Sequence, residues 1–193
     1  MDSSSEEALA QLAADVDLYY EKLVLLYSHQ LKSFIIRRTS NVQDAEDIVQ
    51  EAFMRAYVAL RRYSIQQRQT LQIRAWLYKI VWNLYCNHIS RSKLSYTVPF
   101  DFSDDALLDY EDEGGEHPEQ LLEQTELRQE LEALVTTLPQ RYRVMVNLYF
   151  FEELRYQEIA DILNQPLGTV KVYVHRGIQM LRKSLATQAN KIG

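Results

Sequence analysis

Residues 156–177, YQEIADILNQPLGTVKVYVHRG, combine two amphipathic segments with a break between them. Ile159, Ala160 and Leu163 line one side of the first segment, and the small Ala160 suits a point where two helices cross closely. Residues 164–168 form the break, because Pro166 cannot continue the preceding helix. This spacing predicts a helix-turn-helix, whose second helix enters the major groove of DNA with its N-terminal portion. The alternative, an ordinary helical hairpin with solvated charges, is less favoured.

The second helix of this pair is predicted to have a buried face and an outward face. The predicted buried stripe consists of Val170, Val174, Ile178 and Leu181. The side chains left outward near the start of the helix are Lys171, Val172, His175 and Arg176. Thr169 lies at the predicted helix start, where its hydroxyl can cap the helix and free backbone N–H groups can meet a phosphate. The outward face is therefore the candidate for contact with DNA.

The chain that carries this element is acidic, with a formal net charge of -6 over 193 residues. Eleven carboxylates and no Lys or Arg lie between Leu94 and Glu126, and without them the chain would carry about +5. Residues 94–118 also contain Pro and Gly, which predicts an acidic linker that is extended when free. In the interpretation that we favour, the aromatic and aliphatic residues of this linker pack on a neighbouring domain. In the other interpretation, they and the carboxylates mimic nucleic acid in a positively charged channel.

Composition excludes several classes of protein. Five Gly and four Pro are too few for the many turns of an all-β fold. The single cysteine, Cys86, excludes an intramolecular disulfide and suits a reducing compartment. The N-terminus has no signal-peptide pattern, and no apolar run approaches the ~20 residues of a membrane helix. We therefore expect a cytoplasmic protein with no direct membrane insertion.

Helical periodicity dominates the rest of the chain. Three long amphipathic segments cover most of residues 16–93, and the second of them has Asn41 or Asp44 as its expected N-cap. Two further helices are predicted between residue 118 and the helix-turn-helix. No segment has the pattern of a strand, so the fold class is all-α, with two small helical domains. The predicted boundaries are a tail at 1–14, a first domain at 15–93, the linker at 94–118 and a second domain at 119–190.

Three stretches carry a family resemblance. The segment LPQRYRVMVNLYFFEELRYQEIADILNQPLGTVKVYVHRGIQMLRKSL, which includes the helix-turn-helix, resembles region 4 of bacterial extracytoplasmic-function (ECF) sigma factors, group 4 of the sigma-70 family. DAEDIVQEAFMRAYVAL resembles region 2.2, and AWLYKIVWNLYCNHISR resembles regions 2.3 to 2.4. The matches lie in the family's order and cover most of the chain. The resemblance implies an alternative sigma factor, which binds core RNA polymerase and directs promoter-specific initiation of transcription.

The resemblance also implies three sets of site residues. The set implied to dock on the β′ clamp helices of the polymerase is Asp47, Gln50, Glu51 and Arg55. The set implied to act at the −10 promoter element is Asn83, Asn87, Arg61 and Arg62. The set implied to contact the −35 element is Thr169, Lys171, Val172, His175 and Arg176. Arg176 is the best candidate for a bidentate guanine contact, worth about 1–3 kcal/mol of discrimination, whereas Val172 can touch only a thymine methyl.

Three features depart from the family pattern. Relatives often have a short Phe-Arg-Gly-type connection before region 2.3, whereas this chain has the longer RRYSIQQRQTLQIR at residues 61–74. We expect this loop to help hold an unpaired base, with Arg68 available for phosphates beside Arg61 and Arg62. Many relatives have Asp where this chain has Asn87, so two interpretations of Asn87 stay open, a base contact and an ordinary polar surface position or helix-end hydrogen bond. Trp82 replaces a smaller family residue, and it either stacks on a base or packs in the core; Trp76 is expected to be structural.

The implied partners are the polymerase core, through the β′ clamp helices and the β flap, promoter DNA, and a cognate anti-sigma factor. Two competing classes are a stand-alone helix-turn-helix regulator, for which we find no dimerisation element, and an enzyme such as a recombinase. The four histidines are scattered and Cys86 has no thiol partner, so no catalytic or metal site is expected. No Gly-rich phosphate loop is present, and we expect no cofactor and no small-molecule substrate.

Overall fold

The computed structural model describes residues 11–39, 41–92 and 125–192, and all regular secondary structure in these ranges is helical. The helices are α1 Val16–Thr39, α2 Val42–Leu60, α3 Ile65–Gln69, α4 Ile73–Ser92, α5 Thr125–Thr136, α6 Gln140–Phe150, α7 Tyr156–Leu163 and α8 Leu167–Ile192. The all-α fold class is thus confirmed. The predicted linker at 94–118 lies outside the described residues.

Contacts divide the chain into two units, Met1–Thr97 and Val98–Gly193. We call them unit 1 and unit 2. Ala13 belongs to the predicted tail but is fully buried, so this residue already packs into unit 1. Apart from that observation, the domain boundaries derived from the sequence stay predictions.

In unit 1, α1 packs against α2 through small and large apolar side chains that repeat at helical spacing. Ala45, Ala52 and Ala56 are fully buried, with an exposed fraction of 0%. Their small size lets the two helices approach closely. Asn41 is the N-cap of α2, because its side chain accepts a hydrogen bond from the Gln43 amide at 2.9 Å. Of the two expected N-caps, the structure therefore selects Asn41.

Helix α4 completes the core of unit 1 by packing against both α1 and α2. The rings of Phe34 and Tyr78 meet edge to face with centroids 5.0 Å apart. Trp82 is only 6% exposed and lies beside Tyr85, with ring centroids 5.5 Å apart. The structure thus favours core packing over base stacking for Trp82. Trp76 is half-buried and its ring lies 6.0 Å from that of Tyr63, as expected for a structural residue.

The long connection from α2 to α4 contains the short helix α3. Its start is a capping box, in which the Ser64 hydroxyl accepts from the Gln67 amide at 3.2 Å and the Gln67 side chain accepts from the Ser64 amide at 2.8 Å. This helix turns Arg68 inward, so that its side chain is 6% exposed. The expectation that Arg68 is available for phosphates is therefore wrong, because a helical turn replaces the open loop.

In unit 2, α8 packs against α6 and α7, and α5 packs against α6. Helix α7 is followed by its C-cap Asn164, which adopts a left-handed conformation with φ 53°, and the Gln165 amide donates to the carbonyl of Ala160 at 3.0 Å. Helix α8 then begins at Leu167, directly after Pro166. The predicted helix-turn-helix is present. The start of its second helix was predicted too late, because Thr169 already lies within the first turn of α8.

The buried face of α8 also differs from the predicted stripe. Val170 and Val174 are fully buried as expected, but Ile178 and Leu181 are only partly buried. Tyr173 and Gly177 make the contact with α6 instead, since the Tyr173 ring lies 5.3 Å from that of Tyr142 and an added Cβ at Gly177 would touch Val146. The core side of α8 is therefore rotated relative to the predicted one.

Candidate functional site

Helix α8 presents the five residues predicted to contact the −35 element. The residues Thr169, Lys171, Val172, His175 and Arg176 are all partly exposed. They fall within the first three turns of the helix, where a recognition helix contacts base edges. The ring of His175 lies 2.8 Å from the side-chain nitrogen of Gln179, one turn further along. The structure thus brings this predicted set together on one helix.

Aromatic packing holds α8 in its orientation. The Tyr142 and Tyr173 rings meet edge to face, and the guanidinium of Arg141 lies 5.0 Å from the first ring centroid and 5.9 Å from the second. Helix α7 is capped at its start by Glu158, whose carboxylate accepts from the Arg155 amide at 2.7 Å. Because α6 and α7 both pack on α8, the side chains near its start project from a rigid base.

Helix α4 presents a second polar strip, on unit 1. Asn83 and Asn87 are both exposed and lie one turn apart, as predicted. Neither carboxamide has a hydrogen-bond partner within the described residues. Lys79 is also exposed, one turn before Asn83, and sequence reasoning missed it. The spacing of four residues to Asn83 was the signal that could have found it.

The two arginines predicted for the −10 element lie in a different part of unit 1. Arg61 and Arg62 follow the last turn of α2, and both are exposed. The guanidinium of Arg61 lies 5.8 Å from the centroid of the Tyr57 ring, within cation–π range. The predicted −10 set is therefore spread over α4 and the turn after α2.

The outward face of α2 carries the residues predicted to dock on polymerase. Asp47, Gln50 and Arg55 are exposed and Glu51 is half-exposed. Arg55 donates to Glu51 at 2.7 Å, so two of the four side chains form a pair on the helix surface. The structure brings all four together on α2.

Two apolar side chains lie along the same face of α2, and sequence reasoning missed them. Met54 follows Asp47 by seven residues and Val58 follows it by eleven, and each is 50% exposed. Seven and eleven residues correspond to about two and three helical turns, so these side chains project on the same side as Asp47. An apolar strip within a polar, partly acidic face is typical of a surface that contacts another protein.

Among the described residues there is neither a metal-binding cluster nor an activated thiol. In residues 11–39, 41–92 and 125–192, no group of three His, Cys, Asp or Glu side chains could hold a metal ion. Burial raises the pKa of the Cys86 thiol, which lowers its thiolate fraction and thus its reactivity. Within the same part of the chain, no helix has both the length and the apolar character that a membrane span requires.

Cys86 is expected to react several-fold more slowly with a maleimide in the folded protein than in urea. Burial both restricts access and raises the pKa of the thiol, so at a pH of about 8 less of it is thiolate. Reaction rates measured against pH in the folded and unfolded protein test this. The folded profile should be shifted to higher pH, and coincident profiles would contradict it.

Two family descriptions match this chain, one in each unit. Residues 23–94 match the family described as Sigma-70 region 2, and residues 128–181 match that described as Sigma-70, region 4. The ECF RNA polymerase sigma factor SigW of Bacillus subtilis (strain 168) is 34% identical over 169 residues, which cover 86% of this chain and 88% of that protein. The ECF RNA polymerase sigma-E factor of Escherichia coli (strain K12) is 31% identical over 162 residues, which cover 81% of each chain.

Two solved structures share the fold. One is the sigma factor RpoE in complex with the anti-sigma factor NepR from Bartonella quintana, with TM-score 0.59 and 20% identity over 86% of this chain and 96% of that one. The other is CnrH in complex with the cytosolic domain of CnrY, with TM-score 0.57 and 17% identity over 95% of this chain and 98% of that one.

Proposed function

The chain belongs to the ECF sigma factors of the sigma-70 family, and from this membership we propose a division of labour among its helices. As an alternative sigma factor it is not an enzyme; it binds core RNA polymerase and directs initiation at selected promoters. In our proposal α2 docks on polymerase, α4 binds the −10 element and α8 binds the −35 element. The observation that supports this division most is the separate exposed strip that each of these helices presents.

Recognition of the −35 element is proposed for α8. Lys171, His175 and Arg176 provide donors, and Val172 provides an apolar contact for a thymine methyl. Thr169 lies in the first turn, where the backbone N–H groups at the start of a helix favour a phosphate. Because the aromatic contacts between α6 and α8 keep the helix rigid, these side chains can be presented in a fixed register.

Recognition of the −10 element is proposed for Asn83 and Asn87, with Arg61 and Arg62 as phosphate contacts. Each carboxamide can donate and accept hydrogen bonds, as the edge of an unstacked base requires. The exposure of both side chains and their lack of partners within the described residues support this role. Trp82 lies in the core and has no part in it.

Docking on the polymerase is proposed for the outward face of α2, with its target the β′ clamp helices. Asp47, Gln50 and Glu51 supply polar and acidic contacts to a basic surface, and Met54 adds an apolar contact among them. Unit 2 is proposed to contact the β flap. The stand-alone regulator is not supported, because unit 1 matches region 2 of sigma factors.

We also propose that a cognate anti-sigma factor controls this chain. The two solved structures of the same fold are complexes with NepR and with the cytosolic domain of CnrY, the first of which is described as an anti-sigma factor. The place of action is proposed to be the bacterial cytoplasm. Co-purification of the chain with the product of a neighbouring gene, followed by inhibition of transcription by that product, tests the regulatory part.

Run-off transcription tests the division of labour directly. With core polymerase, the chain should initiate at specific promoters in a fragment library, which would also supply its −10 and −35 sequences. Arg176→Ala is expected to lower transcription from a matched −35 promoter roughly 5- to 150-fold, corresponding to a lost contact of about 1–3 kcal/mol, with unchanged affinity for core.

The matched variant is Asp47→Ala with Gln50→Ala, which should lower affinity for core polymerase while leaving the preferred promoter sequence unchanged. Affinity can be measured by fluorescence anisotropy of the labelled chain. Equal loss of core affinity in both variants would contradict the division. Absence of any initiation, together with sequence-specific duplex binding by the chain alone, would contradict the assignments on unit 1.

A further inference from the structure

The imidazole of His175 is hydrogen-bonded to another side chain of α8. The amide nitrogen Nε2 of Gln179 lies 2.8 Å from the ring nitrogen Nε2 of His175. The two residues are four apart, so they lie on the same side of the helix, one turn from each other. His175 is partly buried and Gln179 is exposed. Gln179, which sequence reasoning missed, is therefore the direct neighbour of a residue proposed to contact the −35 element.

The chemistry of the two nitrogens decides which of them donates. The amide nitrogen of a glutamine carries two protons and accepts no hydrogen bond, so it can only donate. The Nε2 atom of His175 must therefore accept, and a ring nitrogen that accepts carries no proton. In a neutral imidazole the proton then lies on Nδ1. The contact with Gln179 thus selects one of the two tautomers of His175.

A ring held in this tautomer has a donor to offer DNA and no second acceptor. The amide of Gln179 occupies the acceptor nitrogen, and Nδ1 carries an N–H group. In the major groove, guanine, adenine and thymine present acceptor atoms, whereas cytosine presents an amino donor. The tautomer therefore matches His175 to a base that carries an acceptor and excludes cytosine as its partner.

The backbone at His175 is fixed by packing, but the orientation of the ring is not. Tyr173 and Val174 directly precede His175, and both side chains are buried in unit 2. The torsion that turns a histidine ring has broad, roughly two-fold preferences, so a fixed backbone does not decide where each ring nitrogen points. The hydrogen bond from Gln179 supplies this orientation.

We propose that Gln179 is a positioning residue for the −35 contact of His175, and that its amide holds the imidazole as a hydrogen-bond donor toward an acceptor atom of a base. This inference rests on the proposed −35 function of α8. Gln179 acts through the ring that it orients and does not itself contact the base. The base preference of His175 therefore depends on a side chain one turn further along the helix.

The protonation of the two ring nitrogens can be measured in the full chain. Nitrogen-15 NMR of the histidine-labelled protein distinguishes a protonated ring nitrogen from an unprotonated one, and the signals lost in His175→Ala assign the ring. At about pH 8, where an ordinary histidine is neutral, Nε2 of His175 should be unprotonated and Nδ1 protonated. In Gln179→Glu the carboxylate can only accept, so Nε2 should become protonated. Gln140→Glu adds the same charge at an exposed position on α6 and should leave the ring unchanged.

Base preference measures the effect on the −35 contact. Run-off transcription by holoenzyme formed with the full chain is compared on promoters that carry each of the four bases at every −35 position. The position at which His175→Ala loses its preference marks the base that the ring contacts. There, Gln179→Ala should reduce the discrimination roughly 2- to 10-fold, as expected for the loss of one ordinary hydrogen bond. In a chain that already carries His175→Ala, Gln179→Ala should have no further effect at that position.

The outcomes separate this inference from the function on which it rests. If His175→Ala changes transcription equally with all four bases at every −35 position, as loss of a phosphate contact would, or leaves it unchanged, then His175 contacts no base. In that case the −35 assignment of His175 is wrong, and the positioning role with it. If His175→Ala removes a base preference that Gln179→Ala leaves intact, the −35 assignment stands and the positioning role alone is wrong. A protonated Nε2 of His175 in the wild type would also contradict the positioning role.

Discussion

Gly177→Ala is expected to lower the free energy of unfolding of unit 2 by up to about 2 kcal/mol, although alanine is the better helix former. A Cβ at this position would lie 2.5 Å from Cγ2 of Val146, 3.5 Å from Cβ of Tyr142 and 3.7 Å from a methyl of Leu138. Val146 is fully buried and, as a β-branched residue in a helix, has one strongly preferred rotamer, so it cannot move aside cheaply. Overpacking costs about 1–3 kcal/mol, which outweighs a gain in helix propensity of about 1 kcal/mol.

The second glycine of α8 provides a matched control for Gly177. A Cβ at Gly168 would meet no atom within 4 Å, so Gly168→Ala should be neutral or stabilising by up to about 1 kcal/mol. Amide hydrogen exchange in the full chain, followed at α6 and α8, measures both effects in the unit concerned. Faster exchange in Gly177→Ala alone is the expected result. Similar exchange in the two variants would show that α6 and α8 do not cross as closely as the structure has them.

Overpacking at position 177 should also affect function. Helix α6 positions α8, so a shift between them moves the side chains proposed to contact the −35 element. Gly177→Ala should therefore reduce transcription from promoters that depend on a −35 element, more steeply as temperature rises. Transcription from promoters with an optimal −10 element should change less. Equal loss at both promoter types would point to a general defect in polymerase binding.

Arg68→Met is expected to stabilise the protein, in contrast to Gly177→Ala. It should raise the free energy of unfolding of unit 1 by about 1–3 kcal/mol. The side chain of Arg68 is buried, and within the described residues neither Nε nor Nη1 has a hydrogen-bond partner. Leaving a buried donor unsatisfied costs about 1–3 kcal/mol, and more when the group is charged. Methionine has a similar length and no polar hydrogen, so it removes this cost while it fills most of the space.

One contact of Arg68 should survive the substitution. The Tyr19 hydroxyl donates to the backbone carbonyl of Arg68 at 3.3 Å, and a change of side chain leaves that carbonyl in place. Arg62→Met is the control, since Arg62 is exposed and surface substitutions change stability by about 0.5 kcal/mol or less. Urea denaturation of both variants, with hydrogen exchange at α1 and α4 to assign the transition, is the measurement. Destabilisation by Arg68→Met would show that the guanidinium gains a partner in solution.

Local features of the sequence were sufficient to predict much of this protein. The break at Pro166, the N-cap at Asn41 and the periodic apolar residues of α1, α2 and α4 each depend on neighbours within about one turn of helix. The residues predicted for polymerase and the −35 element also proved to be at least partly exposed, because an amphipathic pattern separates the two sides of a helix. These features can be predicted from the sequence because they depend on residues that are close to one another along the chain.

Tertiary packing decided which side chains are buried, and the local sequence pattern could not predict this at every position. Arg68 points inward because the connection forms a helical turn against α1, and Trp82 is buried because α4 packs against two helices at once. The exposure of Lys79, Met54 and Val58 likewise depends on which side of each helix its neighbours cover. Sequence determined that the chain folds into helices with a helix-turn-helix and belongs with the sigma factors. Which side chains reach solvent was decided only by the tertiary structure, because burial depends on contacts between residues that are distant in sequence.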